Sequence, residues 1–503
     1  MEKYILVIDE GTTGTRAILF DRNYQIAEQH YEKLNVVYGE KGVVECSADE
    51  IYEKSVICCK ETIKKLAITP EQILCVGITT QRVTWMFWDK ATGKAVGNAV
   101  VWQDNRAGKM IEPTKNDPRF RELCPYFINH VRATSLCISL PYYLKCNPDI
   151  KARLDKGELL FGTVDTWLVW KLTGGKVFAT DASNASTLGA LIESKLDWDS
   201  VMLHDYAGLP MEMFAKVYGS ADDYGSTLPE LFGAALPITG VVADQQSALF
   251  AQGCHEYSTG KCTNGTGSFL TVNIGTEYPN PPDAHGFVGS IPRVAWKIGD
   301  EIYYMVEAVC PTTGAVLEWI KGNLRLLENI KDIDSIASSV SDNAGVYFVP
   351  ALTGFSGIPK MDHTARASFM GLSGAATREH LIRAALEAVA YVVCGGFENL
   401  KNRFELNLQE VQISGGVSKS DIVAQNMANL LNMRVNRPAS VEATALGAAQ
   451  LAAIQMGLLT KADVKEMVTS QKSFEPNEEA DKYRENYHMW LKAVDRSSNW
   501  LEN

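Results

Sequence analysis

Two short stretches, one at the start of the chain and one near its middle, repeat a single pattern: an apolar run, a turn crowded with Gly, Thr or Ser, and a returning apolar run. In the first, residues 4–8 lead into Asp9-Glu10-Gly11-Thr12-Thr13-Gly14-Thr15, and apolar alternation resumes over 17–20. In the second, residues 257–274 enclose Thr263-Asn264-Gly265-Thr266-Gly267-Ser268. Each reads as a strand, a tight turn and a returning strand. A chain of 503 residues is longer than one hydrophobic core normally serves. The repeat therefore predicts two similar halves, divided near residue 250 into domains 1–250 and 251–503.

Between the hairpins, strand and helix signals alternate, which favours an α/β fold. Ser47-x-x-Glu50 is a capping-box signature ahead of a helical period running to about Leu66, and residues 73–78 read as a buried strand. In the second half the pattern predicts helices over 313–321, 378–397, 422–431 and 443–455, and strands over 345–349 and 411–414. With 46% hydrophobic and 21% charged residues and no low-complexity block, nearly the whole chain should fold.

Charge and cysteine usage exclude several function classes. A formal charge of −12 argues against a nucleic-acid partner, which clustered Lys and Arg would hold. It does not exclude a nucleotide, which a few backbone N–H groups, one or two cations and Mg²⁺ can bind locally. The eleven cysteines show no CxxC spacing and read as reduced thiols. Cys58-Cys59 falls in the helical pattern of Ile51, Ser55, Ile63 and Leu66, as core residues do. The apolar run at the N-terminus is too short for a signal peptide, and no later stretch is expected to reach membrane-spanning length. The expectation is a cytoplasmic protein with no membrane partner.

The hairpin turns carry the chemistry. Asp, Gly and Thr together offer unobstructed N–H groups and hydroxyls to phosphate oxygens, and the Asp can hold a hydrated Mg²⁺, so Asp9, Thr12, Thr13 and Arg16 are candidates. Alone, the segment reads equally as a Gly/Thr β-turn with a capping Asp. The second turn repeats that chemistry in the other half. Ser414-Gly415-Gly416-Val417-Ser418 lies between a strand and a helix, where small residues admit adenine or ribose against the backbone; a plain strand-to-helix loop is the alternative.

These three segments resemble the phosphate-1, phosphate-2 and adenosine motifs of actin-like ATPases. Within that superfamily the chain resembles the FGGY family of carbohydrate kinases, and among them the glycerol kinases. That likeness rests on Gly77-Ile78-Thr79-Thr80-Gln81-Arg82, Val101-Trp102-Gln103, Phe161-Gly162-Thr163-Val164-Asp165-Thr166-Trp167-Leu168, Asp244-Gln245-Gln246-Ser247-Ala248-Leu249-Phe250 and Glu442-Ala443-Thr444-Ala445-Leu446-Gly447-Ala448-Ala449. The resemblance implies two ribonuclease-H-like α/β domains with a central cleft, where ATP with Mg²⁺ meets a small polyhydroxylated substrate. It makes Asp244 the catalytic base and gives Asp9 and Asp244 to the metal. Thr12, Thr13, Arg16, Thr266 and Gly267 would contact the polyphosphate, and Gly314, Gly416 and Ser420 the nucleotide, with Ser420 replacing a usual Asn and Glu318 a usual Gln. Arg82, Trp102, Gln245 and Phe269 would hold the acceptor.

Two acceptor positions depart from the glycerol-kinase pattern: Val83 stands where a carboxylate is usual and Thr134 where a Tyr is usual. Losing a hydrogen-bond partner for a buried hydroxyl costs about 1–3 kcal/mol, so the pair should weaken a glycerol pocket unless Trp85 or another residue compensates. The expected function is phosphorylation of glycerol or a related polyol. The alternatives are a ketose, aldonate or other sugar acceptor and, more remotely, an actin-like ATPase without a small acceptor. Segments 218–226 and 231–236 show neither the phosphorylatable His nor the Gly/Arg effector loop of some family members, so neither control is expected. A homodimer is an expectation from the family alone.

Overall fold

The computed structural model describes residues 2–281, 286–287, 290–439 and 442–501. Packing divides the chain into two compact units: Met1–Gly253 with Gly275–Met305 and Glu442–Glu466, and Cys254–Ile274 with Val306–Val441 and Met467–Asn503. After Gly253 the chain therefore returns to the first unit twice, which a single division near residue 250 does not include.

The first unit is built on a five-stranded sheet in the order Ile238–Ala243, Ile73–Thr80, Tyr4–Glu10, Gly14–Phe20, Ile26–Lys33. The expected hairpin forms, with Asp9 opposite Arg16. Ile73–Thr80 runs parallel to the first strand, and Ile238–Ala243 runs parallel to Ile73–Thr80. Tyr4–Glu10 is buried throughout, as expected for a strand covered on both faces. The register brings Asp9 beside Thr79 and Thr80 beside Ala243, so three adjacent strands deliver their carboxyl ends together. In open α/β sheets that is where ligands bind.

Helices cover this sheet. Ala48–Lys65 buries Ile51, Ser55, Cys58, Cys59 and Thr62, and Ser47 Oγ accepts from Glu50 N at 3.2 Å. The reciprocal half of the capping box does not form, because the Glu50 carboxylate is engaged by Asn35 and Lys54. Ala443–Gln455 packs on Ile73–Thr80 and Ile238–Ala243 because small residues let backbones approach. A Cβ on Gly77 would stand 2.7 Å from Ala448 O, one on Gly240 2.6 Å from Ala452 N, and one on Gly447 2.1 Å from Ser247 O. This fit places a helix from late in the sequence in the first unit. A second sheet, in the order Val36–Tyr38, Val44–Cys46, Ala95–Val100, Trp85–Asp89, Leu159–Thr163, carries the segments that bear Val83 and Trp102 next to its strands.

The second unit repeats the plan. Gly260–Asn264 and Ser268–Asn273 form the antiparallel hairpin, Glu410–Ser414 runs parallel to the first of these, and Arg434–Pro438 runs parallel to Glu410–Ser414. Ser470–Phe474 closes one edge, and on the other side Glu301–Cys310 follows Ser268–Asn273 in the sheet order; the chain enters this unit within Glu301–Cys310. Among the described residues one helix, Arg378–Phe404, is long and apolar enough by length and composition to cross a membrane, which corrects the expectation that no stretch would be. It is apolar because it is a core helix: 78% of its apolar window is buried within the protein, and it carries the ion pair Arg383 Nε–Glu387 Oε1 at 2.9 Å. All eleven cysteines are free and ten are buried.

Candidate active site

The first hairpin turn closes through Gly11 N to Gly14 O at 3.0 Å, leaving Thr13 exposed and Thr12 half-buried at its tip. Asp9 ends the strand beneath. Burial pushes its carboxyl up, and Arg16 opposes the shift from across the hairpin, Nη2 to Oδ2 at 2.5 Å. Arg16 is held on its other side by Glu442 Oε2 at 2.8 Å, from the residue preceding Ala443–Gln455. Next to Asp9, Glu10 is fully buried, and desolvation pushes its carboxyl well above the usual range.

Asp244 begins the helix Asp244–Ala251 directly after the Ile238–Ala243 strand, and Arg82 follows Ile73–Thr80 by two residues. The parallel pairing of those strands brings Arg82 Nε to 3.3 Å from Asp244 Oδ1. Gln245 lies beside them, its N–H donating to Asp244 Oδ1 at 2.6 Å. Asp9, Arg16, Asp244, Thr13 and Thr444 line one cavity of about 820 Å³.

Both strand ends are held from below by one short helix, Ala182–Thr187. Its N-cap, Asp181, is completely buried and accepts from Ser183 Oγ at 2.6 Å, Asn184 Nδ2 at 2.9 Å and Ser220 Oγ at 2.7 Å. Ser183 Oγ in turn accepts from Ala243 N at 2.9 Å, and Asn184 Oδ1 accepts from Thr80 Oγ1 at 3.2 Å. The residues immediately before Asp244 and just before Arg82 are thus fixed by adjacent side chains of one turn.

Trp102, 42% exposed, donates Nε1 to Thr12 Oγ1 at 2.8 Å. Its own N–H is held by Thr84 Oγ1 at 3.1 Å, Thr84 donates to Gln81 Oε1 at 2.9 Å, and Gln81 Nε2 donates to Gly11 O at 3.1 Å. The two departing positions also come together: Val83 and Thr134 line a cavity of about 10 Å³ with Trp85, Arg106, Ser139 and Tyr143. Val83 sits there at φ +71°, a left-handed conformation that β-branched residues rarely adopt. Trp85 is buried in edge contact with Phe87 and Tyr143 and forms part of the wall.

In the second unit, Thr266 is exposed at the tip of the second turn and Phe269 is half-buried on the returning strand. The turn is tied to its neighbours by a buried network: Ser268 Oγ donates to Asn264 Oδ1 at 2.6 Å and contacts Thr313 Oγ1 at 2.9 Å, and Asn264 Nδ2 donates to Ser418 Oγ at 3.0 Å. A Cβ on Gly314 would stand 2.1 Å from Gly265 O and one on Gly267 2.9 Å from Cys310 O, whereas nothing lies within 4 Å of one on Gly416. Ser420 Oγ accepts from Val423 N at 3.2 Å as the N-cap of Asp421–Leu431. Glu318 is exposed, 3.6 Å from Lys321 Nζ.

Sequence reasoning assigned no role to Gln81, Thr84, Asp181, Ser183, Asn184, Glu442, Asn264, Thr313 or Ser418. Gln81, Asn264, Ser418 and Glu442 stood inside quoted motifs. Asp181 carried only the signal of an N-cap, which names a helix start and not what that helix supports.

Among the described residues no group of three or more His, Cys, Asp and Glu side chains could hold a metal ion. Two carboxylates facing one cavity, Asp9 and Asp244, suit Mg²⁺, which takes one or two carboxylates and completes its shell with substrate phosphates and water.

A hairpin followed by two parallel strands, built twice, with a Gly/Thr turn at each hairpin tip, defines the actin-like, ribonuclease-H-like class of phosphotransferases. The chain belongs to the FGGY family of carbohydrate kinases: residues 4–251 match its N-terminal domain and residues 260–456 its C-terminal domain. It is 37% identical to the glycerol kinase of Rippkaea orientalis and 35% identical to glycerol kinase 2 of Thermotoga maritima, in each case across 99% of both chains. The structure of Plasmodium falciparum glycerol kinase with ADP is similar at a TM-score of 0.90 and 27% identity, covering 99% of this chain and 98% of that one. Gluconate kinase from Lactobacillus acidophilus shares the fold at a TM-score of 0.85 and 19% identity.

Proposed function

We propose that this carbohydrate kinase transfers the γ-phosphoryl group of ATP to a hydroxyl of glycerol or a related small polyol, with Asp244 as the base. The observation that carries the reading is the Arg82–Asp244 pair, Nε to Oδ1 at 3.3 Å, at the carboxyl ends of neighbouring parallel strands beside the Asp9–Arg16 hairpin.

Arg82 and Gln245 offer hydrogen bonds to the acceptor, and Trp102 and Phe269 offer apolar faces to its carbon chain. Asp244 takes the hydroxyl proton as the oxygen–phosphorus bond forms, which requires the acceptor oxygen to lie in line with the leaving ADP oxygen. Thr12, Thr13, Arg16, Thr266 and Gly267 bind the polyphosphate, and Gly314 and Gly416 contact the nucleotide: Gly416 is open on its Cβ side, whereas Gly314 has that side filled by Gly265 O and acts through its backbone. Ser420 supports that end through the helix it caps. Asp9 and Asp244 would hold Mg²⁺, which supplies charge neutralisation on the β- and γ-phosphates. Desolvation raises the Asp9 carboxyl, and Arg16 across the hairpin opposes that shift and so favours the charged form the role needs. A cytoplasmic homodimer belongs to the same reading.

A second reading, a sugar acceptor other than glycerol, is favoured by Val83 and Thr134 lining one cavity. ADP release with Mg-ATP across C3 to C6 polyols, ketoses and aldonates separates the two. Saturable turnover with a polyol that falls about 10²–10⁴-fold in Asp244→Asn supports the proposal; an Asp244→Asn variant that retains turnover would sink it.

A further inference from the structure

The cavity behind Val83 has an unusual wall. Most of it is carbon, from Val83, Trp85 and the Tyr143 ring, and its charged members are saturated by each other. Arg106 Nε bonds both carboxylate oxygens of Asp104 at 2.9 Å, Arg106 Nη2 bonds Glu45 Oε1 at 2.7 Å, and the guanidinium lies 5.7 Å from the centre of the Tyr143 ring. Ser139 is different. It is 8% exposed, it lines the same cavity, and its hydroxyl has no hydrogen-bond partner in the protein.

A buried hydroxyl without a partner is unfavourable unless something else meets it. At about 10 Å³ the space admits one hydroxyl-sized group. A carboxylate or phosphate does not suit it, because either would be desolvated against carbon walls with no uncommitted cation facing it. The cavity also neighbours the reaction centre along the chain: Val83 follows Arg82, which is paired with Asp244, and Val101 in its wall precedes Trp102.

We propose that this cavity is a distal acceptor subsite that takes the terminal hydroxyl of a neutral polyol one carbon longer than glycerol, with Ser139 Oγ as its hydrogen-bond partner and Thr134 beside it. The inference rests on the polyol-kinase reading above. It makes Ser139 a specificity-determining residue and selects neutral tetritols over aldonates. It also gives Val83 a physical role: a short apolar side chain leaves the space open, and a carboxylate in its place would project a charge into carbon surroundings.

The test is steady-state ADP release by the full chain with glycerol, erythritol, threitol and erythronate, for wild type and for Ser139→Ala and Thr134→Tyr. Wild type should favour one of the tetritols over glycerol in kcat/KM and should not use erythronate. Ser139→Ala should lower the tetritol-to-glycerol ratio of kcat/KM roughly tenfold, mainly through KM for the tetritol. Its melting temperature should not fall, because the hydroxyl bonds nothing in the folded protein. Thr134→Tyr should fill the space and shift preference towards glycerol. A ratio that neither variant moves, or a wild type that favours glycerol or erythronate, overturns the subsite while polyol turnover still upholds the kinase reading. Absence of ADP release with every polyol would instead overturn that underlying reading.

Discussion

Trp102 Nε1 donates to Thr12 Oγ1 at 2.8 Å, so the loop proposed to hold the acceptor is bonded directly to the turn proposed to hold phosphate. Gln81 reinforces that link by joining Gly11 O to Thr84, which holds the Trp102 backbone. Replacing Trp102 with Phe keeps a smaller aromatic face and removes the N–H donor. A neutral hydrogen bond contributes about 0.5–1.5 kcal/mol, so kcat/KM for the acceptor should fall roughly 2- to 12-fold, with KM for ATP rising as well. Steady-state kinetics varying each substrate in turn would check both.

Ser183 lies between Asp181 and Ala243 N. Ser183→Ala leaves the Ala243 N–H buried without its acceptor, at a cost of about 1–3 kcal/mol, and frees the residue next to Asp244 to shift. The expected outcome is a folded enzyme with lower thermal stability and a kcat reduced about tenfold or more, while KM for ATP changes little. Equal losses in both parameters would show that Asp181 and Ser183 support the fold generally and not the position of Asp244.

Gly447 packs with no room for a side chain, since a Cβ would stand 2.1 Å from the Ser247 carbonyl. Gly447→Ala must push Ala443–Gln455 away from the helix Asp244–Ala251, and overpacking of this kind costs about 1–3 kcal/mol. The melting temperature should drop by several degrees. ATP affinity should weaken too, because Glu442 at the start of that helix holds Arg16. Calorimetry and nucleotide titration on the same sample would test the pair of effects.

Glu193 provides a pH dependence unconnected to catalysis. Burial pushes its carboxyl from 4.5 up to about 8, against the opposing pull of Arg293. The unfolded chain loses this proton above about 4.5 and the folded protein keeps it until about 8, so folding takes up a proton in that window. Stability should therefore be highest below the window, decline as pH rises through it, and level off above. The slope approaches about 1.4 kcal/mol per pH unit from this group. Glu193→Gln, which cannot ionise, should lack that component in melting curves recorded from pH 5 to 9.

Much of this architecture was legible in the chain itself. Apolar runs around Gly/Thr turns announced both hairpins, and the strand and helix signals at 73–78, 411–414, 422–431 and 443–455 each correspond to an element of that type. These signals are local: burial periodicity, turn chemistry and caps act over a few residues and are written in consecutive letters. The long helix at 378–404 shows the limit, because an apolar composition does not say whether lipid or protein surrounds it.

What the sequence determined alone was the repeated strand–turn–strand unit, the residue types at each turn and hence the phosphate-transfer chemistry they suit. Only the tertiary structure decided that Ala443–Gln455 belongs with the first unit, that Asp181 and its neighbours anchor the strand ends bearing Arg82 and Asp244, and that Val83, Thr134 and Ser139 share one cavity. The physical reason is that these relationships join residues far apart in the chain through parallel strand register and close backbone packing. Both are set by the sum of many long-range contacts and by no local pattern.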